Sequence, residues 1–252
     1  MENFIKEIAK KAGKAVLEKF GKAKVEYTKK NITEVVTEAD LLSTKIITEA
    51  IRVRYPDHGI VSEESSDLNR NAEYLWIIDP LDGTRNFSTN VPLFGLAIGF
   101  AKDQKMELSV AYLPFYDELF FAKKDKGAFK NYQKIQCSET KEFQHSFGCG
   151  GAVIAPERLE YLKKLVKIAE KEPFWMSGLG CAVLNAVYVA DGRRDWYMSR
   201  SGGVWDYAAS SLILSEAGCK VTNFKGEPWS LKDEEILTAN KYLHPKLLEI
   251  LK

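Results

Sequence analysis

The densest set of chemically capable side chains in this 252-residue chain is the stretch Trp76-Ile77-Ile78-Asp79-Pro80-Leu81-Asp82-Gly83-Thr84. A short apolar run delivers Asp79 at the end of a β-strand, Pro80 is expected to stop the strand ladder, and Asp82 follows three residues on. Two carboxylates this close repel each other unless a cation lies between them, and hard divalent cations favour such oxygen ligands. The Leu81 carbonyl between them offers a further oxygen. Gly83-Thr84 permits a tight turn into a helix start, where main-chain amides suit a phosphate oxygen.

Three more acidic sites accompany this stretch. Ser62-Glu63-Glu64-Ser65 follows the apolar pair Ile60-Val61, so its glutamates stand just beyond a short strand. Val36-Thr37-Glu38-Ala39-Asp40 fits a capping box, in which Thr37 and Asp40 satisfy amides at a helix start. Trp205-Asp206-Tyr207-Ala208-Ala209 places Asp206 at the beginning of an apolar helix, where an N-cap is the simplest role. Taken singly, each is an ordinary acidic turn or cap. Their combination, with carboxylates at four separated places, fits an acidic pocket for divalent cations. Phosphatases that use an aspartyl nucleophile carry DxDGT, which would require an aspartate at position 80; the residue there is Pro80, so attack by water fits better.

These residues must be positioned by a scaffold. Phe4, Ile8, Ala12, Val16 and Phe20 form the stripe of an amphipathic first helix. A second helix is predicted from Thr37 to about Arg54 with Leu42, Ile46 and Ala50 inward, ending at Pro56-Asp57-His58-Gly59. Tyr74–Ile78 reads as a strand. Phe94–Ala101 and Met106–Leu113 form a hairpin about Lys102-Asp103-Gln104, and Glu118–Ala122 adds another strand. Further helices are predicted near Pro156–Lys171, Cys181–Ala190 and Trp205–Ala217, with a last one from Pro245. Short strands fall near Asp195–Met198, Lys220–Asn223 and Ile236–Thr238. The fold class is mixed α/β in layers. A weak boundary at Lys141–Gly150 divides an N-terminal α+β part, residues 1–145, from a C-terminal α/β part, residues 146–252.

Net charge is +1, so no bulk field draws nucleic acid or an anionic membrane, and phosphate binding must be local. The apolar run Val91–Ala101 is about half a membrane-spanning length and contains Pro92. Cys137, Cys149, Cys181 and Cys219 form no CxxC pair. The first twenty residues lack the apolar core of a secretory signal, and a cytoplasmic location is expected.

The set VTEAD, SEES, WIIDPLDGTRNF and WDYAA, in this order and spacing, resembles the inositol monophosphatase family of Mg²⁺-dependent, lithium-sensitive phosphatases over nearly the whole chain. The resemblance implies an αβαβα sandwich, a homodimer and a small phosphate ester as substrate. It also implies that Glu63, Asp79, the Leu81 carbonyl and Thr84 surround a first Mg²⁺. Asp79, Asp82 and Asp206 would hold a second ion, with a third, weaker one beside Glu63. Two such ions activate a water and steady the leaving oxygen. Glu63 would take the water's proton, and Thr84, bonded to Asp40, would orient that water. The Gly83 and Thr84 amides would grip the phosphate, and Ser177–Ala182 would line the sugar pocket through Ala182. Lys29 or Lys30 falls where the family has a loop that reaches the phosphate.

The chain departs from the family at Ser199, where inositol-hydrolysing members carry a glutamate for sugar hydroxyls. An arginine usual just before the Gly178–Ala182 segment is also missing. Arg193, Arg194 and Arg200 cluster nearby and offer partners for a second phosphate. Fructose-1,6-bisphosphate and adenosine 3′,5′-bisphosphate therefore stand beside inositol-1-phosphate as substrates. A non-catalytic protein that senses metal or phosphate is the remaining alternative.

Overall fold

In the computed structural model the residues described are 1–22, 25–28, 35–151, 156–170, 172–200 and 202–251. Helix α1 (Glu2–Lys19) buries Ile5, Ile8, Ala9, Ala12 and Val16, as its four-residue spacing requires. The short strands β1 (Val25–Thr28) and β2 (Val35–Thr37) pair antiparallel. Helix α2 (Glu38–Arg54) follows with Thr37 as N-cap. Its buried face is Ala39, Asp40, Ser43, Thr44, Ile47, Thr48 and Ile51. The expected inward residues Leu42, Ile46 and Ala50 lie instead on its half-buried flank. Apolar spacing alone misplaces the face because the inner stripe carries polar side chains with local partners. Thr44 and Thr48 hydroxyls each donate to the carbonyl one turn back, at 2.8 Å.

The central sheet has eight strands. They are β3 (Gly59–Ser62), β4 (Ser65–Leu68), β5 (Tyr74–Asp82), β6 (Gly95–Lys102), β7 (Lys105–Leu113), β8 (Glu118–Lys123), β9 (Gly127–Lys130) and β10 (Gln133–Lys134). Their spatial order is β10-β9-β8-β7-β6-β5-β3-β4, antiparallel except for the parallel pair β3–β5. The β6–β7 turn is only Asp103-Gln104, both at positive φ (48° and 61°), the backbone of a two-residue hairpin whose twist matches the strands. The hairpin is therefore longer than the sequence indicated, with Lys102 paired to Lys105, and Phe94 lies just before it.

Strict alternation along β6, β7 and β8 divides the sheet into two buried faces. Leu96, Ile98, Phe100, Leu108, Val110, Leu119 and Phe121 join α1 and α2 in one cluster with Trp76 and Ile78. Ala97, Ala111, Leu113, Phe120 and Ala122 face the other way, onto helices α5 (Ala182–Ala190) and α6 (Val204–Glu216). Those helices are apolar nearly all round because a second sheet covers their far side. It contains β11 (Phe147–Gly150), β12 (Trp175–Ser177), β13 (Trp196–Arg200), β14 (Lys220–Thr222) and β15 (Glu235–Ala239), in the order β12-β11-β13-β15-β14. Along β13, Tyr197 joins the α5–α6 cluster. Trp196 and Met198 pack on the opposite side with Tyr161 and Leu165 of α4 (Pro156–Ala169) and Leu247 of α7 (Leu243–Leu251). The layers are thus α, β, α, β, α, as expected. Among the described residues no helix is long and apolar enough to cross a membrane.

Candidate active site

The sheet does not stop at Asp79. β5 runs on to Asp82, with Asp79 opposite Ala97 and Asp82 opposite Gly95, and the register shifts between them. Pro80 is therefore not a terminator but part of a bulge, where a missing N–H costs no ladder bond. The Pro80 carbonyl accepts from Ser43 Oγ at 2.7 Å, which ties the bulge to α2. In a regular strand, residues three apart point to opposite faces. The irregularity brings the two aspartates together: oxygen atoms of Asp79, Asp82 and Asp206 all lie within 4.8 Å of one another.

The turn after Asp82 rests on Gly83, at φ +83°. A Cβ there would meet the Leu93 carbonyl oxygen at 2.7 Å and the Cys181 Cβ at 3.1 Å. G83A is expected to destabilise the protein by about 2–4 kcal/mol, from left-handed strain and backbone displacement. Thermal unfolding checks it, with a fall of roughly 5–12 °C expected.

Helix starts deliver the other carboxylates. Asp40 is the third residue of α2, and its Oδ2 accepts from the Thr37 amide (2.8 Å) and hydroxyl (2.5 Å). Its Oδ1 faces outward to the Thr84 hydroxyl at 2.8 Å. The capping box and the contact with the DPLDGT turn are thus made by the two oxygens of one carboxylate. Asp206 is the third residue of α6 and accepts from the Gly203 amide at 2.5 Å. Both carboxylates lie in first turns, where the helix dipole favours negative charge. Thr84 Oγ1 also lies 2.9 Å from the Leu81 carbonyl, so its single proton goes to one of two acceptors at a time. Glu63 follows β3 and donates its amide to the Ile78 carbonyl, which places it beside the end of β5.

The electrostatics are strained in one direction. Asp79 is 1% exposed, and neither of its carboxylate oxygens has a hydrogen-bond partner among the described residues. Burial first, then Asp82, Glu63, Asp206 and Asp40, push its carboxyl well above the ordinary range. Burial likewise raises Asp82 to about 6, opposed by the Cys181 thiol and the Val183 and Gly83 amides. Asp206 is driven well up by burial, Asp82 and Glu63, while Gly203 and the Arg158 guanidinium oppose the rise. Asp40 is raised mainly by burial. A buried carboxylate with no donor, set among other carboxylates, fits cation coordination better than it fits a structural role. The donor set is all oxygen and acidic, which matches a hard divalent ion.

The structure therefore gathers Asp79, Asp82 and Asp206, with Glu63 and the Thr84–Asp40 pair alongside and the Leu81 side chain buried beneath. Other expected residues stand further out. Ala182 opens α5, next to the Val183 amide that binds Asp82 at 2.5 Å. Ser199 is buried under the Tyr207 hydroxyl at 3.1 Å. Arg200 is paired with Glu235 (3.2 Å) and Glu160 (3.9 Å). Arg193 is engaged by Glu118 and Asp191, each at 2.7 Å, and Arg194 donates to the Arg193 carbonyl. Lys29 and Lys30 lie outside the described residues.

Four contributors escaped sequence reasoning. Cys181 donates its thiol to Asp82 Oδ2 at 3.0 Å while capping α5. The Val183 amide and the Ser43 hydroxyl, already described, are the second and third. Arg158, from α4, is the fourth. Only Ser43 had a local signal, one turn after Asp40 on the same helix.

The sequence profile of the inositol monophosphatase family matches residues 1–252. An Aquifex aeolicus protein described as fructose-1,6-bisphosphatase/inositol-1-monophosphatase is 33% identical over 264 residues, covering 100% of this chain and 97% of that protein. Human inositol monophosphatase 1 is 31% identical over 242 residues, covering 92% of this chain and 87% of its own. The crystal structure of extragenic suppressor protein SuhB from Bartonella henselae superposes with a TM-score of 0.92 at 30% identity, over 99% of this chain and 97% of that one. The chain belongs to the inositol monophosphatase family. Family membership implies a divalent metal, and the buried acidic cluster provides for one.

Proposed function

We propose that the protein is a Mg²⁺-dependent phosphomonoesterase for small polyol and sugar phosphates such as inositol-1-phosphate. The observation that carries this reading is the Asp79 carboxylate, buried in the acidic cluster without a hydrogen-bond partner among the described residues. Glu63, Asp79, the Leu81 carbonyl, Asp82 and Asp206 would hold two ions, with a third, weaker one beside Glu63. When bound, such ions lower the pKa of water and stabilise charge on transferring and leaving oxygens.

The chain's own residues then have distinct tasks. Asp40 is fixed by three hydrogen bonds and holds the Thr84 hydroxyl in one orientation. With its proton directed to Asp40, Thr84 Oγ1 presents its lone pairs outward and accepts a hydrogen bond from the attacking water. Glu63 accepts the other water proton as the new P–O bond forms and the ester P–O bond breaks. The departing alkoxide takes up, through solvent, the proton that Glu63 accepted, and leaves as the alcohol. Amides at the start of α3 (Thr84–Ser88), including that of Thr84, would take phosphate oxygens, whereas the Gly83 amide, also expected there, donates to Asp82. Residues from both 1–145 and 146–252 would complete this site, with Asp206 and Ala182 coming from the second part.

A substrate panel tests the reading. Phosphate release from inositol-1-phosphate, fructose-1,6-bisphosphate and adenosine 3′,5′-bisphosphate is measured with Mg²⁺ present, and at least one is expected to turn over. Saturable binding of all three without any release would instead favour a sensing protein.

A further inference from the structure

We infer that Asn86 is a positioning residue for the acidic cluster: it clamps the segment 179–183 onto Asp82 and so sets how tightly a divalent ion is held there. This rests on the reading of the cluster as a cation site. Asp82 Oδ2 takes two hydrogen bonds from that segment, one from the Cys181 thiol at 3.0 Å and one from the Val183 amide at 2.5 Å. Both donors occupy the same oxygen, so Asp82 meets an ion through Oδ1. The orientation of this carboxylate therefore depends on where residues 181–183 lie. They stand 99 and 101 residues further along the chain at the two contacts, and something must hold them there.

Asn86, in the first turn of α3, makes that connection. Its Nδ2 donates to the Leu93 carbonyl at 2.7 Å and to the Leu179 carbonyl at 2.8 Å. Both partners are carbonyls, which only accept, so the orientation of the amide is fixed and both of its hydrogens are used. Leu93 lies just before β6 and Leu179 just before α5, so one side chain joins the DPLDGT turn to both. The approach is close. Gly180 has φ +70°, and a Cβ there would meet Asn86 Nδ2 at 2.9 Å and Oδ1 at 3.1 Å. Residues 179–183 thus accept from Asn86 and donate to Asp82. Bonds that run in both directions hold the segment in one register on the turn, and Asn86 acts on an ion through the Asp82 carboxylate that this register orients.

The test is a calorimetric titration of the full-length, chelator-stripped protein with Mg²⁺. N86A is expected to raise the Kd about tenfold or more, the usual loss when a group that orients a metal ligand is removed. N86D is isosteric and adds a negative charge that by itself would favour a cation, so a rise in Kd there reports the lost donors. Gly180→Ala keeps Asn86 but displaces it, and is expected to raise the Kd as well. Amide hydrogen exchange in the metal-free protein gives a readout independent of the ion. The Val183 amide should exchange faster in N86A, while those of Val110 and Phe121, paired in the central sheet, stay as in the wild type. T89A removes exposed hydrogen bonds to the Arg85 and Asn86 carbonyls at the end of the same helix and should leave the Kd unchanged. A Kd in N86A or Gly180→Ala within about twofold of the wild type, or faster exchange spread evenly over the chain, overturns the inference and leaves the cation reading standing. A wild type that binds no Mg²⁺ overturns the cation reading itself, and the inference with it.

Discussion

Asp79→Asn is expected to lower kcat at least a thousandfold and to remove the stabilisation that Mg²⁺ gives the wild type. The first effect follows because Asp79 is the carboxylate common to both proposed ions. The second follows from linkage: a ligand at a hundred times its Kd stabilises the folded state by about 2.7 kcal/mol, and loss of the site loses that increment. In thermal unfolding at millimolar Mg²⁺ the wild type should gain roughly 5–10 °C over its metal-free form, and the variant close to nothing.

Without metal the order should reverse. Burial and four neighbouring carboxylates raise the Asp79 pKa in the folded state. A carboxyl raised in this way contributes its stability below the unfolded pKa, and that contribution is lost as pH rises through the folded value. Metal-free wild type should therefore lose stability relative to Asp79→Asn as pH is raised, since the amide has no charge to bury. Unfolding curves in chelator at pH 6 and pH 8.5 measure this directly. A wild type that stays more stable than the variant at pH 8.5 without metal would contradict the electrostatic account of the site.

The second large effect is expected at Thr84. T84A removes the hydroxyl that sits 2.8 Å from Asp40 and is expected to lower kcat by about a hundredfold to ten-thousandfold, the usual range for a group that handles the reacting water. KM should move little, because the phosphate contacts proposed at this turn are made by main-chain amides. T84S keeps the hydroxyl and should recover most of the rate. Asp40→Asn should resemble T84A in part, since it disturbs the acceptor and leaves the hydroxyl in place. The double variant should be no slower than T84A, because two residues that act as one unit lose their effect once. Additive losses in steady-state kinetics would mean that Thr84 and Asp40 act separately.

The contact between Thr84 and Asp40 spans 44 residues of chain, yet both ends were legible. Thr84 lies in a turn whose residue types suit a phosphate, while Asp40 by itself fits a capping box and was linked to Thr84 only through the family resemblance. Asp79 and Asp82 were visible as a close carboxylate pair and Asp206 through the family resemblance, and the structure brings oxygen atoms of all three within 4.8 Å of one another. What carried them there was less visible. Pro80 looked like a strand terminator because it lacks an N–H, but a bulge makes that lack harmless and turns Asp79 and Asp82 to one side. The inner face of α2 looked apolar at Leu42, Ile46 and Ala50. Asp40, Ser43 and Thr44 occupy it instead, because their polar atoms find partners on β2, on the bulge and on the helix itself. Cys181 and Arg158 reach the site through tertiary packing alone, 99 residues from Asp82 and 42 from the Arg200 carbonyl respectively. No local pattern announces such contacts.

The central claim is that a divalent cation held by Asp79 enables this chain to hydrolyse a phosphate monoester. Its most direct test is a Mg²⁺ titration of phosphate release from inositol-1-phosphate and fructose-1,6-bisphosphate, run side by side on chelator-treated wild type and Asp79→Asn. The expected result is release that is absent without Mg²⁺, saturates as Mg²⁺ is added, and stays near background in the variant at every concentration. Release that proceeds undiminished in chelator, or that survives Asp79→Asn with an unchanged Mg²⁺ dependence, would contradict it.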